Sequence, residues 1–385
     1  MKVLVIGCGA VGATTAYTLS RAGLQVTVCE SQPTYAQGAS GAALGMLMAV
    51  CSSKGEGAIA QLRLASLQMF DGLLKELHSE FQADVPYNRA GVLCLYESDT
   101  AQEKCAKLIA LRQAQGYTLE WKPTLAGWHC AGAMYSPSDR WVHPSKLISA
   151  LVSATVQLGG KFYFHTPITD LQSALSDFDR IVVTAGLGTD QLIGQNILQA
   201  VRGLAITLEL SATDLFPNEN RGYCSEGQSF PVVHAITSTG EDINVVPLGN
   251  QRYWLGATVH FTPEDCQPQR DVDWLLGTAQ KFQPLFQYSK VINSWTGDRP
   301  RPKYQKAPVL GFLTPDQKIL AAVGHYRNGI LMAPISAQII KDLILHGDSE
   351  FPWQSFAPQT LVSLPSNSDP NSAQPLIENH SSNGN

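Results

Sequence analysis

The sequence predicts an α/β chain, α+β overall, in which a Rossmann-like fold carries an inserted, β-rich, antiparallel domain. Three observations predict it. A glycine fingerprint lies between two short apolar runs within Lys2–Glu30. A second buried run, Arg180-Ile-Val-Val-Thr184, enters another glycine turn far along the chain. From Ala200 to Ala257, short β-forming runs follow one another, separated by turns rich in Gly, Asn and Asp.

The fingerprint gives the first domain its purpose. Val3-Leu4-Val5-Ile6 reads as a buried strand, and Gly7-x-Gly9-x-x-Gly12 opens a small-residue helix, Ala13 to Arg21, that Gly23 ends. Gly7 permits the tight turn, Gly9 lets a pyrophosphate approach the backbone, and Gly12 lets helix pack on strand. The helix N-terminus then presents free N–H groups and a positive dipole end to the phosphates, with Ala10 and Val11, inside the fingerprint, as further cofactor-binding candidates. Val26-Thr27-Val28 leads to Glu30, where a carboxylate can accept from a ribose 2′-OH, with Ser31 beside it. Strand, helix and acid at this spacing specify a dinucleotide and leave NAD and FAD both open.

Composition limits the remaining possibilities. With 385 residues the chain can bury two substantial cores. A net charge of −5 gives no footprint for nucleic acid or an anionic membrane. Eight cysteines occur with no CxxC and no zinc-like spacing, so buried free thiols in a reducing, cytoplasmic setting are expected, and no metal cluster stands out. The apolar stretch Ala39–Cys51 is too short to cross a bilayer, so no membrane span is expected.

Beyond Glu30, Gly38-Ala-Ser-Gly-Ala-Ala-Leu-Gly-Met46 is almost free of bulky side chains. It suits either backbone laid against a planar ligand or a closely packed small-residue helix. Ala58–Phe81 has apolar residues at helical spacing, Val92–Leu95 is a short strand, and Thr100–Gln115 is a second helix. Asp139-Arg-Trp-Val-His-Pro144 is a turn into a further helix, with His143 a packing residue rather than a base. Arg180–Thr184 supplies a parallel strand beside the first, and the middle of the chain a β-rich lobe. From about Gln359 the chain is Ser-, Asn- and Pro-rich and is expected to be a disordered tail, 359–385.

The last third holds the chemistry. A strand at Val291–Trp295 puts Arg299-Pro300 in the turn after it, and a guanidinium there can hold a carboxylate bidentately as lysine cannot. A final helix is expected to start at Pro334, its dipole facing the loop Gly324-His-Tyr-Arg-Asn-Gly329. No Ser-His-Asp set or carboxylate pair stands out, which fits hydride chemistry carried by a cofactor.

Gly-x-Arg-Pro at 297–300, Pro-x-x-Gly at 308–311 and Gly-His-Tyr-Arg-Asn-Gly-Ile-Leu-x-Ala-Pro at 324–334 resemble one family's signature. So do the N-terminal fingerprint with its tract, Val201-Arg-Gly203, Val246-Pro247 and Gly256-Ala-Thr258. The chain resembles, from Met1 to about Asp348, the D-amino-acid oxidase (DAO) family of FAD-dependent oxidoreductases, most nearly the glycine oxidases of thiamine synthesis. The resemblance implies a Rossmann-like FAD-binding domain with an inserted, antiparallel substrate domain. It places Gly7, Gly9, Gly12 and Glu30 on the ADP half of FAD. Ser40, Ala42, Ala43, Gly45 and Met46 fall at the pyrophosphate and isoalloxazine, Ile168 at the adenine, and Ala185 and Gly186 along the cofactor. Tyr326, Arg327, Asn328, Gly329, Ile330 and Leu331 would follow the flavin ring, with Met332 at its pyrimidine end. Arg299 matches the carboxylate clamp, with Arg327 near the same pocket.

Two positions depart from the pattern. Asn244 stands where the glycine oxidases have an active-site tyrosine, and Val259 where they have methionine, which bears on substrate more than on reaction class. Covalent flavin attachment, known in the related sarcosine oxidases, is not expected, because no cysteine follows Cys266. The implied activity is oxidative deamination of glycine or another small amino acid, with O2 as acceptor. A dehydrogenase that does not use O2, an NAD-dependent dehydrogenase, a tRNA-modifying flavoprotein and a redox sensor are the rivals. Self-association into a homo-oligomer is left open. The expected partition is FAD-binding 1–85, 141–200 and 296–358, and substrate domain 86–140 and 201–295.

Overall fold

The computed structural model describes residues 1–210, 230–359 and 362; most of the expected tail and Cys224 lie outside them. A six-stranded sheet runs in the order Val309–Phe312, Ile319–Val323, Arg180–Val183, Lys2–Ile6, Gln25–Cys29, Lys161–Tyr163. The last five strands are parallel, and Val3 lies opposite both Arg180 and Val26. The chain's ends and middle thus meet in one sheet, as the second apolar run predicts. Both faces are covered: Val3 and Val5 point into one core, Leu4 and Ile6 into another, the period of two expected of a strand buried on both sides.

An eight-stranded sheet follows the order Ser289–Pro302, Leu198–Leu210, Arg252–Gly256, Asp242–Gly249, Val232–Ile236, Val92–Tyr96, Gly132–Ser136, Glu120–Lys122. It is antiparallel except at one seam, where Val232–Ile236 lies parallel to Val92–Tyr96. The two partners there come from distant parts of the chain, so no hairpin dictates their direction. Leu204, Ile206, Leu208 and Leu210 pack with Leu275, Phe282 and Phe286 of the covering helix region. Gly203 and Ala205, on the alternate face, line a cavity. A small sheet of Met46–Leu47, Arg140–Val142 and Tyr87–Asn88 completes the β-structure.

Helix Ala58–Phe81 forms over the expected span, and the second becomes Ala101–Ala114. Three local expectations are corrected. The first helix, Ala10–Arg21, begins three residues earlier than the apolar pattern suggested, so Gly12 lies inside it. The final helix starts at Gly329, not Pro334, and runs to His346 with the proline inside it. Nearly every residue from Ile330 to Ile340 is buried, and this packing outweighs proline's local preference for a helix start. The strand expected to end at Trp295 continues to Pro302, paired along Leu198–Leu210, so Arg299 is a strand residue opposite Val201. Proline is tolerated there because this is the edge strand.

The helix region Tyr326–His346 is long and apolar enough to cross a membrane, but most of its apolar window is buried within the protein. It packs chiefly on Ala10–Arg21 and Ala58–Phe81.

Candidate active site

The carboxyl ends of the parallel strands open onto a cavity of about 2670 Å³ bounded on its far side by the eight-stranded sheet. A pocket for a drug-sized ligand holds roughly 300–1,000 Å³, so this one has room for a dinucleotide and a substrate together.

One end is the fingerprint. Gly7 has φ +101°, and a Cβ there would meet the Thr184 carbonyl at 2.8 Å. A Cβ on Gly12 would lie 2.0 Å from the Gly7 carbonyl oxygen, so helix and strand touch at a point where only glycine fits. Glu30 is held by its neighbours: its carboxylate accepts from the Cys8 N–H at 2.7 Å and the Gln32 N–H at 3.0 Å. Ser40 Oγ accepts from the Ala10 N–H at 3.0 Å, which draws the glycine-rich tract over the helix start.

That tract is not a helix. It crosses the cavity in turns, with Trp141 Nε1 donating to the Leu44 carbonyl at 2.6 Å and Trp295 Nε1 to the Ala42 carbonyl at 3.1 Å. Gly297 faces Ala42 so closely that a Cβ on it would lie 2.4 Å from the alanine's. Small residues on both sides let the tract lie against the strand carrying Arg299.

The other end is a charged cluster. Arg299 is packed between strands, and its hydrogen bond among the described residues is from Nη1 to the Thr258 carbonyl at 3.2 Å. Burial, and then Arg327, hold its pKa below the ordinary arginine value. Arg327 is already committed to Asp242, with its two terminal nitrogens at 2.5 and 3.1 Å from the carboxylate oxygens. Burial works against the Asp242 charge, but Arg327, His234 and Arg299 outweigh it and hold its pKa below the usual carboxylate value. Asn244 pairs with His234, and its amide also donates to the Gly256 carbonyl. Tyr326, at φ +55°, turns the chain into the final helix beside these groups.

The cavity brings together the expected residues Gly7, Gly9, Ala10, Val11, Glu30, Ser31, Ser40, Ala42, Ala43, Gly45, Met46, Ile168, Ala185 and Gly186. Asn244, Arg299 and Tyr326 to Leu331 line it as well. Two expected contacts are not on its wall. Gly12 serves packing behind it, and Met332, expected at the flavin's pyrimidine end, is fully buried in the core. The helix start at Gly329 turns Met332 inward.

Sequence reasoning missed Asp242 and His234, both cavity residues. Alternation from Asn244 would have placed Asp242 on the same face, but nothing local gives its partner. It also missed Asp139, fully buried, whose carboxylate accepts from the N–H groups of Ala49, Val50 and Cys51 at 2.7, 2.9 and 2.8 Å. Arg112, also fully buried, donates to the carbonyls of Val50 and Gly55 at 2.9 Å each, so the segment after the tract is held from both sides. His260, Cys266 and Asp271 converge away from the cavity with their ligand-type atoms within 4.8 Å of one another, a group that their sequence spacing did not flag. The His260 Nε2 to Asp271 Oδ2 contact at 2.7 Å gives the buried carboxylate a partner.

The donor set fits FAD. A glycine cradle that a Cβ would fill, an anchored acid for a ribose and a helix start for the pyrophosphate lie at one end. A bulk-free tract leads from them to a strand-borne arginine.

Comparison with known proteins agrees. The family model described as DAO, FAD dependent oxidoreductase, matches residues 2–343. The glycine oxidase of Geobacillus kaustophilus is 26% identical over 372 residues, covering 92% of this chain and 96% of that one. The bifunctional protein ThiO/ThiG of Synechocystis is 28% identical over 378 residues, which is 94% of this chain and 54% of that one. The crystal structure of glycine oxidase from Geobacillus kaustophilus superposes with a TM-score of 0.78 at 23% identity, covering 94% of this chain and 99% of the other. The NAD-dependent alternative falls with this match: the chain belongs to the DAO family of FAD-dependent oxidoreductases.

Proposed function

We propose that this enzyme oxidatively deaminates glycine or another small amino acid or amine, giving an imine that water hydrolyses to ammonia and the carbonyl product, a 2-oxo acid where the substrate is an amino acid. The observation that carries the reading is Arg299: a guanidinium packed into the cavity wall, with one hydrogen bond to Thr258 among the described residues and four donors left for a carboxylate. Arg327, neutralised by Asp242, is a wall beside it rather than a second clamp.

The chemistry supplied by bound FAD is acceptance of the hydride from Cα and reoxidation by O2, with H2O2 as the second product. The residues' share is positioning. Arg299 would fix the carboxylate, Gly203 and Thr258 fix Arg299, and the tract at Ala42–Met46, held against the same strand, would hold the flavin end of the cofactor. The relatives named glycine oxidase support glycine as substrate, and one from Rhizobium etli named putative thiamine biosynthesis oxidoreductase ThiO supports a role in thiamine synthesis. The free cysteines found among the described residues favour a reducing, cytoplasmic setting.

A peroxide assay over glycine, sarcosine and small D-amino acids, run beside an artificial electron acceptor, tests the reading. Peroxide in stoichiometry with the amino acid consumed supports it. Reduction of the artificial acceptor without peroxide would replace the oxidase with a dehydrogenase, and inertness towards every amino acid would end the proposal.

A further inference from the structure

His234 and Asn244 are directly opposed residues on the antiparallel strands Val232–Ile236 and Asp242–Gly249. Asn244 Nδ2 donates to the Gly256 carbonyl at 3.0 Å, and a carbonyl can only accept. That bond settles the orientation of the amide, so Oδ1 faces the imidazole, 2.8 Å from His234 Nδ1. Oδ1 carries no proton, so Nδ1 must carry one. In the neutral ring the lone pair therefore sits on Nε2. His234 lines the cavity, and no hydrogen bond to Nε2 occurs among the described residues.

The charges around the ring are few. Asp242 lies on the paired strand, Arg327 on the turn before the final helix, and the Cys94 thiol is on the residue opposite His234 on the parallel side. Burial pulls the imidazole below its ordinary pKa, Arg327 acts the same way, and Asp242 and Asn244 act against them. The ring is thus neutral at neutral pH. One backbone stretch also ties this pair to the carboxylate clamp: Gly256 holds Asn244, and Thr258, two residues on, holds Arg299.

We propose that His234 Nε2 accepts the proton of the substrate's ammonium group, with Asn244 as the positioning residue that keeps the ring in the required tautomer. The inference rests on the amino-acid reading above. An amino acid reaches the site as a zwitterion, and its nitrogen can push electrons only once it has a lone pair. The N–H bond breaks and its proton moves to Nε2. The freed pair then forms the C=N bond as the Cα hydrogen leaves with its bonding electrons to the oxidised cofactor.

Anaerobic stopped-flow reduction of the FAD-loaded enzyme by glycine, followed across pH, tests this. The wild type should lose rate on the acid side as His234 protonates. His234→Gln should slow reduction roughly 100- to 10,000-fold at neutral pH, and recover at alkaline pH where the amine arrives already neutral. Asn244→Asp, which keeps an acceptor opposite Nδ1 and adds negative charge, should move the acid limb to higher pH. A second readout is independent of turnover. In protein labelled with ¹⁵N-histidine, the resonances lost in His234→Gln should report a proton on Nδ1 and a bare Nε2. A His234→Gln enzyme with the wild-type pH profile, or a proton found on Nε2, would overturn the proposal while leaving the amino-acid reading intact. Failure of every amino acid to reduce the wild-type flavin would overturn both.

Discussion

A Cβ added to Gly203 would lie 2.4 Å from both terminal nitrogens of Arg299. The arginine's head group fills the space that a side chain on the neighbouring strand would need, so if Arg299 clamps the substrate carboxylate as proposed, this glycine sets where the clamp sits. Gly203→Ala must displace the guanidinium. Because misplacement by about 1 Å can cost on the order of 100-fold, KM for glycine should rise roughly 10- to 100-fold, with flavin content unchanged. Steady-state kinetics beside the flavin-to-protein absorbance ratio checks this; an unaltered KM would show that the contact is unimportant.

The two site arginines should differ in their sensitivity to lysine. Arg299→Lys loses the fork, and removing one partner of a buried charge-assisted pair costs about 2–5 kcal/mol, so kcat/KM should fall roughly 30- to several-thousand-fold. Arg327→Lys keeps a cation opposite Asp242 and should cost less than Arg299→Lys. Equal losses in the two variants would mean that both arginines hold the substrate.

His325 gives the fold a pH dependence. It is buried, its ring nitrogen lies 2.9 Å from Ser336 Oγ, and burial lowers its pKa from 6.5 to about 4. The unfolded chain binds this proton first, so stability falls as pH drops from about 6.5 towards 4 and is unaffected above that window. Linkage makes the loss roughly 2 kcal/mol by pH 5. Urea unfolding at several pH values should show the decline in the wild type and a shallower one in His325→Gln.

Asp139 should matter for stability without touching ligand. Its carboxylate accepts three backbone N–H bonds in a fully buried position, and hydrogen bonds to charged groups contribute about 1.5–3 kcal/mol each. Asp139→Asn, which retains one acceptor oxygen, should destabilise by about 2–3 kcal/mol in urea unfolding. A change within error would mean that Arg112 alone supports the segment.

What the sequence made legible depended on how local the physics is. Lys2 to Glu30 is one strand, helix and strand, with every spacing that matters contained in 29 residues, and its partners are where the motif predicts. Arg299 was legible through a motif, but its setting was not. The turn expected around it is a strand, because pairing with Leu198–Leu210 outweighs the two prolines. Pro334 drew the helix start five residues too late, since a local preference cannot register a helix whose first turns are almost entirely buried. The pairs Arg327–Asp242 and Asp139–Ala49 were invisible because their members lie 85 and 90 residues apart and meet only after the sheets have formed. Asn244 was visible as a departure, but its meaning came from His234 on the facing strand.

The most direct test of the central claim is anaerobic titration of the purified, FAD-loaded protein with glycine and other small amino acids, comparing wild type with Arg299→Ala. The wild-type flavin absorbance should bleach as the amino acid is oxidised. Arg299→Ala should retain its flavin yet bleach only at far higher amino-acid concentration. If the two respond at the same concentrations, Arg299 does not hold the substrate carboxylate and the account is wrong.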